Sequence, residues 1–362
     1  MPAEAVLEVL AQRIRDAAAR KGRLNIRGGD TKAWYGEAPQ GEPLDTTLLT
    51  GISSYEPTEL VVTARAGTRI AELEAALAEA GQCLPFEPPR FGANGTVGGM
   101  VAAGLAGPAR ASVGSVRDYV LGLTMLNGRG ELLTFGGQVM KNVAGYDVPR
   151  LMAGSLGTLG LVCEVSLKVM PRPAATATLR FEIDEGRALR RLNDWGGQPL
   201  PVSASAWWDE TLVVRLAGAQ AAVSAAKSQL GGEVIEPGLA ERFWTGLRDQ
   251  TDEFFVGARK AVDAGATLWR LALPQTAPPL KLSGEQLVEW GGAQRWLCTA
   301  TPAEPIREAA AAAGGHATRF RSREKGNVFH PLTPALERIH RQLKNAFDPD
   351  GVFNPGRLYP KL

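Results

Sequence analysis

Apolar and polar positions alternate in two distinct periods along the 362 residues. The first segment, AEAVLEVLAQRIRDAA, places Leu7, Leu10 and Ile14 three and four apart, which predicts an amphipathic helix with those residues inward. A strand over 24–27 follows, then the loop GGDTKAWYG, then extended runs near 44–49 and 60–64. The stretch TRIAELEAALAEAG returns to the helical period through Ile70, Leu73 and Leu77, with Gly81 as its stop. Small residues over 96–105 predict a helix, and DYVLGLTMLNGRGELLTFGG predicts two strands turning at Asn127-Gly128. A short helix is expected before GSLGTLG, and LGLVCEVSLKV after it alternates as a strand up to Pro171 and Pro173.

Beyond residue 173 the order changes to strand, helix, strand, strand, helix, strand, carried by TATLRFEI, EGRALRRLNDWGG, PVSASAWWD, TLVVRLAG, AQAAVSAAKSQLGG and EVIEP. That is the split βαβ, ferredoxin-like pattern. Strands near 268–273 and 295–300, the helix PIREAAAAAGG, the strand HATRFRSR and a final helix PALERIHRQLKNAF complete the reading. No fixed-period repeat is visible. The predicted class is α+β, with a first domain over 1–172, a smaller cap over 173–330 and a tail over 331–362 that returns to the first domain.

Composition narrows the function. Lys plus Arg number 40 and Asp plus Glu 38, a net charge of +2, which argues against a nucleic-acid binder. No apolar run reaches the ~18 residues of a membrane span. With Glu4 and Glu8 in it, the N-terminal segment reads as a helix and not as a signal peptide, so a cytoplasmic chain is expected. Cys83, Cys163 and Cys298 are far apart and form no CxxC pair, so this chain alone cannot supply a four-cysteine iron–sulfur cluster. His316, His330 and His340 lack zinc-site spacing, and no metal site is expected.

The glycines carry the chemistry. Gly154, Gly157 and Gly160 stand three apart and lead into a strand, whereas a dinucleotide fingerprint needs GxGxxG leading into a helix. No GK[ST] occurs, which excludes a P-loop. Such glycines serve equally as turn residues. Two further clusters, Gly28-Gly29-Asp30-Thr31-Lys32 and Gly95-Thr96-Val97-Gly98-Gly99, with Gly114-Ser115 and Asp118 close behind, suit anion-binding nests, the second helped by a helix start. Several loops of this kind suit a diphosphate and a long cofactor.

In order, RGGDTK, TELVVTARAGTRIAELEAAL, GTVGGMVAAGLAGP, VGSVRDYVLGLTMLNGRGELLTFGG and KNVAGYDVPRLMAGSLGTLGLVCEVSLKV resemble the FAD-binding domain of the vanillyl-alcohol oxidase/PCMH superfamily, over roughly residues 1 to 172. KNVAGYD with GSLGTLG is similar to the glycolate and D-lactate dehydrogenase branch, and GGDTKAWYG with the ending FNPGRLY to the FAD-binding subunits of bacterial glycolate oxidases. The resemblance implies that Gly28, Gly29, Asp30, Thr31 and Lys32 form the first pyrophosphate loop. It implies a second FAD segment at Thr96, Gly98, Gly99, Ser115 and Asp118. Gly154, Ser155, Gly157, Thr158 and Gly160 would follow the isoalloxazine and ribityl region. Lys141, Asn142, Tyr146 and Asp147 match the family pattern beside the flavin. Some relatives attach FAD through a histidine in the first loop; here that loop is GGDTK, so FAD would be non-covalent.

The resemblance also implies partners: a catalytic flavoprotein sister subunit and an iron–sulfur subunit, acting together on glycolate. Peripheral attachment to the inner face of the cell membrane would come through them. A self-sufficient dehydrogenase of a small 2-hydroxy acid such as D-lactate stays open, as does a flavin-free scaffold. A 2-hydroxy-acid site needs an arginine for the carboxylate and a base for the hydroxyl. The nearest set is Arg319, Arg321 and Arg323, which alternate and would share one face of a strand, with His330 after them. The same charges also suit a solvated edge strand or a docking edge. Trp207, Trp208 and Trp269 are expected in the cap core or an interface.

Overall fold

A computed structural model describes residues 2–137 and 146–362. The chain divides into two compact units: one of Met1–Leu105, Ser115–Pro171 and Pro331–Leu362, the other of Ala106–Gly114 and Arg172–His330.

The first unit opens with helix α1 (Ala3–Ala19), whose Val6, Leu10, Ala11, Ile14 and Ala17 are buried while Leu7 is half-buried at the edge of the same cluster. Strands β1 (Leu24–Arg27) and β2 (Glu42–Asp45) pair in parallel from Leu24↔Glu42 to Arg27↔Asp45. Then come β3 (Ile52–Glu56), β4 (Val61–Arg65), α2 (Ile70–Glu79), β5 (Gln82–Cys83) and α3 (Val97–Ala103). The short α4 (Arg110–Val113) lies in the second unit. The first resumes with α5 (Val116–Tyr119), β6 (Val120–Leu126), β7 (Leu132–Gly136), α6 (Val148–Met152), β8 (Leu161–Lys168) and β9 (Met170–Pro171).

Its main sheet runs β3-β4-β8-β6-β7, antiparallel throughout. As the middle strand, β8 buries Leu161, Val162, Cys163, Val165, Ser166 and Leu167, that is, both of its faces. The buried Ser166 hydroxyl is satisfied by Thr63 Oγ1 on β4 at 2.9 Å. The β6–β7 hairpin does not turn on two residues at Asn127-Gly128 but on five, 127–131. Asn127 Oδ1 accepts from the amides of Arg129 and Glu131, at 2.9 and 3.0 Å, and Gly130 takes the positive φ, +73°. Gly128 is needed for a long-range contact instead: its amide donates to Phe347 O, and a Cβ there would fall 2.3 Å from Asp348 Oδ1.

The second unit follows the expected order through β10 (Ala175–Glu182), α7 (Glu185–Gly196), β11 (Val202–Trp208), β12 (Thr211–Gly218), α8 (Gln220–Leu230) and β13 (Glu233–Ile235). After them come α9 (Pro237–Asp249), α10 (Glu253–Asp263), β14 (Thr267–Ala272), β15 (Glu285–Glu289), β16 (Gln294–Thr299), α11 (Ala303–Ala312) and β17 (His316–Arg321). All eight strands form one antiparallel sheet, β13-β10-β12-β11-β15-β16-β14-β17. The first four stand fourth, first, third, second. The last four stand second, third, first, fourth. The same four-strand arrangement therefore occurs twice, joined where the two second strands pair through Ala206↔Glu289 and Trp207↔Val288. Trp207 and Trp269 are buried in the layers this sheet forms with its helices. Helix α12 (Pro334–Phe347) and the last residues belong to the first unit.

Candidate cofactor groove

Strand β1 ends at Arg27, whose carbonyl accepts from both the amide and the hydroxyl of Thr46, at 2.9 and 3.0 Å. That pins the start of the 28–32 loop. Gly28 and Gly29 follow because nothing larger fits: a Cβ on Gly29 would lie 1.5 Å from Asn94 O, and one on Gly28 2.6 Å from Thr96 Oγ1. Asp30 then turns the chain at φ +56°, and Ala33 donates to Asp30 O at 3.1 Å. Among the described residues the amides of Gly28, Gly29, Asp30 and Thr31 donate to no other group. They border a groove of about 250 Å³. Consecutive amides without partners make a nest for an anion.

Four charged side chains line this groove: Arg27, Asp30, Lys32 and Arg357. Arg27 forms a two-point ion pair with Asp30, which raises the Arg27 pKa. Lys32 Nζ lies 5.6 Å from the centre of the Phe91 ring and 3.5 Å from Arg90 O.

The start of α3 is built differently from the nest read in the sequence. Its first amides are engaged inside the protein: Val97 donates to Thr68 O at 2.9 Å, Gly98 to Ala66 O at 2.8 Å and Gly99 to Thr96 Oγ1 at 3.2 Å. Thr96 and Gly99 line the groove. Gly98 faces Ala66, whose Cβ would be 2.7 Å from a Cβ on Gly98. Ser115 and Asp118 cap α5, with Asp118 Oδ2 accepting from the Ser115 amide at 2.8 Å, and do not line the groove.

The loop 154–160 is likewise turned inward. Gly154 donates to Val101 O and Leu156 to Ala102 O, both at 2.9 Å, so this loop satisfies carbonyls at the end of α3. Thr158 Oγ1 donates to Ser155 O at 2.8 Å, and both residues are buried. Gly157 sits at φ +72°, and Gly160 packs where a Cβ would meet Met125 Cε at 2.1 Å. Leu156, at φ +50°, is the member of this loop that lines the groove.

The C-terminal segment completes the wall. Asn354 accepts from the Ile26 amide at 2.7 Å and donates to Leu156 O at 2.6 Å. Lys344, almost fully buried, donates to Thr158 O, Phe353 O and Asp348 Oδ2 at 2.7, 2.7 and 2.6 Å. Burial pushes its pKa down more than Asp348 lifts it. Arg357 donates to the main-chain oxygens of Ala33, at 2.6 Å, and Glu37. Asn354 and Arg357 are not among the site residues read from the sequence, although both lie in the ending FNPGRLY that carries the resemblance.

The arginine set of the second unit is not a single site. At Phe320 a β-bulge pairs Arg321 with Leu268 and Arg319 with Trp269, so the two arginines leave β17 on opposite faces. Arg319 lies over Trp269 and donates to Gly326 O at 3.1 Å; Arg321 lies over Phe320 and donates to Gln250 Oε1 at 3.3 Å. Arg323 is beyond the strand. The expected shared face therefore does not form. The edge of β17 is also covered at Arg319, whose amide donates to Val328 O at 2.8 Å. The His330 ring lies 6.3 Å from that of His316, and burial with Arg307 pushes its pKa down. Tyr146 is exposed and Asp147 caps α6; Lys141 and Asn142 lie outside the described residues. Among the described residues no cluster of three or more His, Cys, Asp or Glu has metal-site geometry, and no helix is long and apolar enough to cross a membrane.

Residues 7–136 match the family described as FAD binding domain. The glycolate oxidase subunit GlcE of Escherichia coli (strain K12) is 48% identical over 355 residues, covering 98% of both chains. This chain belongs to the GlcE family. Like other members of its wider superfamily, a GlcE-family chain carries an FAD-binding domain of PCMH type on an α+β fold. The glycolate oxidase subunit GlcD of Bacillus subtilis (strain 168) is 32% identical over 155 residues, 42% of this chain and 33% of that one. Among solved structures, alkyldihydroxyacetonephosphate synthase superposes with a TM-score of 0.67 at 14% identity, over 96% of this chain and 74% of that one, a likeness of fold.

Proposed function

We propose that this GlcE-family chain holds FAD non-covalently in the groove of the first unit, as one subunit of an assembly that oxidises glycolate to glyoxylate. The four unpartnered amides of residues 28–31 carry the cofactor assignment. They form a glycine-bounded cradle of undonated amides of the kind a diphosphate fills, with each amide bond to a charged oxygen contributing about 1.5–3 kcal/mol. We read the first unit as the cofactor domain and the second as its cap. Thr96, Gly99, Ala102, Ala103 and Leu156 form the rest of the cradle. Gly98, Gly154, Gly157 and Gly160 set the backbone that positions those walls. No histidine stands in the loop, so the chain offers no imidazole there for a covalent link.

When bound, FAD supplies a two-electron oxidant for the carbon that carries the hydroxyl. This chain's share is to bind and orient it. The separation of Arg319 from Arg321, and the use of Arg319 and Arg307 to hold 326–329, take apart the carboxylate-and-base set expected from the sequence. A catalytic flavoprotein sister of GlcD type then provides the substrate site, and an iron–sulfur subunit carries electrons onward. The test is dye reduction with glycolate by the chain alone, by the sister subunits alone and by all together. Activity confined to the full set supports the subunit reading. Full activity of the chain alone would replace it with a self-sufficient dehydrogenase, and a colourless chain with no flavin would replace it with a scaffold.

A further inference from the structure

The groove presents an electrostatic question. A flavin dinucleotide brings two negative charges to its diphosphate, yet the cradle amides are neutral. Arg27 is paired with Asp30, both are well exposed, and the pair adds no net charge. Lys32 is drawn towards Phe91 and Arg90 O. Arg357 differs from all three. It is only 7% exposed, it lines the same groove, and its hydrogen bonds go to the main-chain oxygens of Ala33 and Glu37. A guanidinium has five N–H donors; two serve these carbonyls, and three are left for a ligand. Burial lowers its pKa more than the Glu37 carboxylate raises it, as expected of a cation placed where water does not fully solvate it. The carbonyls of Ala33 and Glu37 fix the guanidinium plane, so little conformational freedom is lost on binding an anion.

We propose that Arg357, in the C-terminal segment, is the cation of the cofactor's diphosphate subsite, joining the 28–31 amides that line the same groove. This rests on the FAD assignment above. Arg357 is fixed in advance by two main-chain carbonyls and binds the phosphate oxygens directly. The C-terminal segment is thus part of the cofactor site and more than its support.

The experiment compares Arg357→Lys and Arg357→Met with the full-length wild type, titrating FAD, ADP and riboflavin into flavin-free protein. ADP carries the diphosphate without the flavin, and riboflavin the flavin without phosphate. Arg357→Met should weaken FAD and ADP at least tenfold, leave riboflavin within twofold, and reduce the salt dependence of FAD binding. Arg357→Lys should recover part of the ADP affinity, since it keeps the charge and loses the fork. Equal weakening of riboflavin and ADP by Arg357→Met would assign the residue a structural role, and unchanged ADP affinity would remove it from the subsite; either overturns the proposal. If the wild type binds neither FAD nor ADP, the FAD assignment itself has failed. A melt of each flavin-free variant identifies one that does not fold, in which case Arg357→Lys alone decides, by its ADP-to-riboflavin ratio.

Discussion

Replacing Lys344 with Met tests how the C-terminal segment is held. The ammonium has three acceptors at 2.6–2.7 Å, Thr158 O, Phe353 O and Asp348 Oδ2, which use all three of its protons. The Asp348 side chain is fully buried and also accepts from the amides of Val352 and Phe353, at 2.9 and 2.8 Å. Removing one partner of a buried pair costs about 3–5 kcal/mol, because the remaining charge has no counter-ion. Here two amides still hold the carboxylate, and Met refills most of the volume, so the lower end applies: ~3 kcal/mol. The first unit falls in the 150–250-residue class, where each kcal/mol moves Tm by about 2–4 °C, so the shift should be roughly 6–12 °C. The assay is a thermal melt of the flavin-free protein, with the exposed Lys361→Met as control, expected within ~0.5 kcal/mol of wild type. A Lys344→Met protein melting within 2 °C of wild type would refute the reasoning that this pair fastens the tail to the 154–160 loop.

Gly157→Ala should cost about 1–2 kcal/mol for its φ of +72° alone. Its Cβ, 2.8 Å from Asn354 Nδ2, should also disturb the bond to Leu156 O, seen as lower flavin content per folded protein; unchanged content and melt would contradict this. Gly29→Ala should abolish flavin retention while circular dichroism stays native, because its Cβ would fall 1.5 Å from Asn94 O and push the 28–31 amides out of place; a variant with full flavin would show the cradle is elsewhere. In the second unit burial lifts the Asp252 carboxyl from 3.8 to about 6, against the pull of the Phe255 amide it caps and of Arg259. The folded chain therefore holds this proton to higher pH than the unfolded chain: the contribution is full below ~4 and is lost as pH rises through ~6, at most ~3 kcal/mol. Asp252→Asn should gain stability relative to wild type between pH 4 and 7 in urea melts, and equal pH profiles would count against the shift.

What could be read from the chain depended on how local its cause was. The α2 period, the small-residue helix within 96–105 and the strand–helix order of the first half of the cap are short-range signals, and their elements stand where the residues predicted them. Helices α9 and α10 are missing from the sequence reading although Glu236-Pro237 and Asp252 mark their starts and their apolar residues keep the helical period. The doubled four-strand arrangement was invisible because its second copy has a loop between β14 and β15 where the first has α7. At the groove, the glycine pair 28–29 was legible, since only glycine allows so close a backbone approach. The inward role of Gly154 and Leu156 was not, because it is set by α3 carbonyls some fifty residues away in the chain. The bulge at Phe320, which separates Arg319 from Arg321, inserts one residue into an alternating pattern and leaves no mark in it.

Amide hydrogen exchange at residues 28–31 tests the cofactor assignment most directly. In the flavin-free protein these four amides have no partner among the described residues and should exchange fast, whereas those of Val97, Gly98 and Gly99, already bonded internally, should exchange slowly. Adding FAD should slow exchange at Gly28 to Thr31 by at least tenfold, and acid precipitation of the same sample should release the flavin into the supernatant. Exchange at 28–31 that does not change when FAD is bound would place the diphosphate elsewhere and contradict the account.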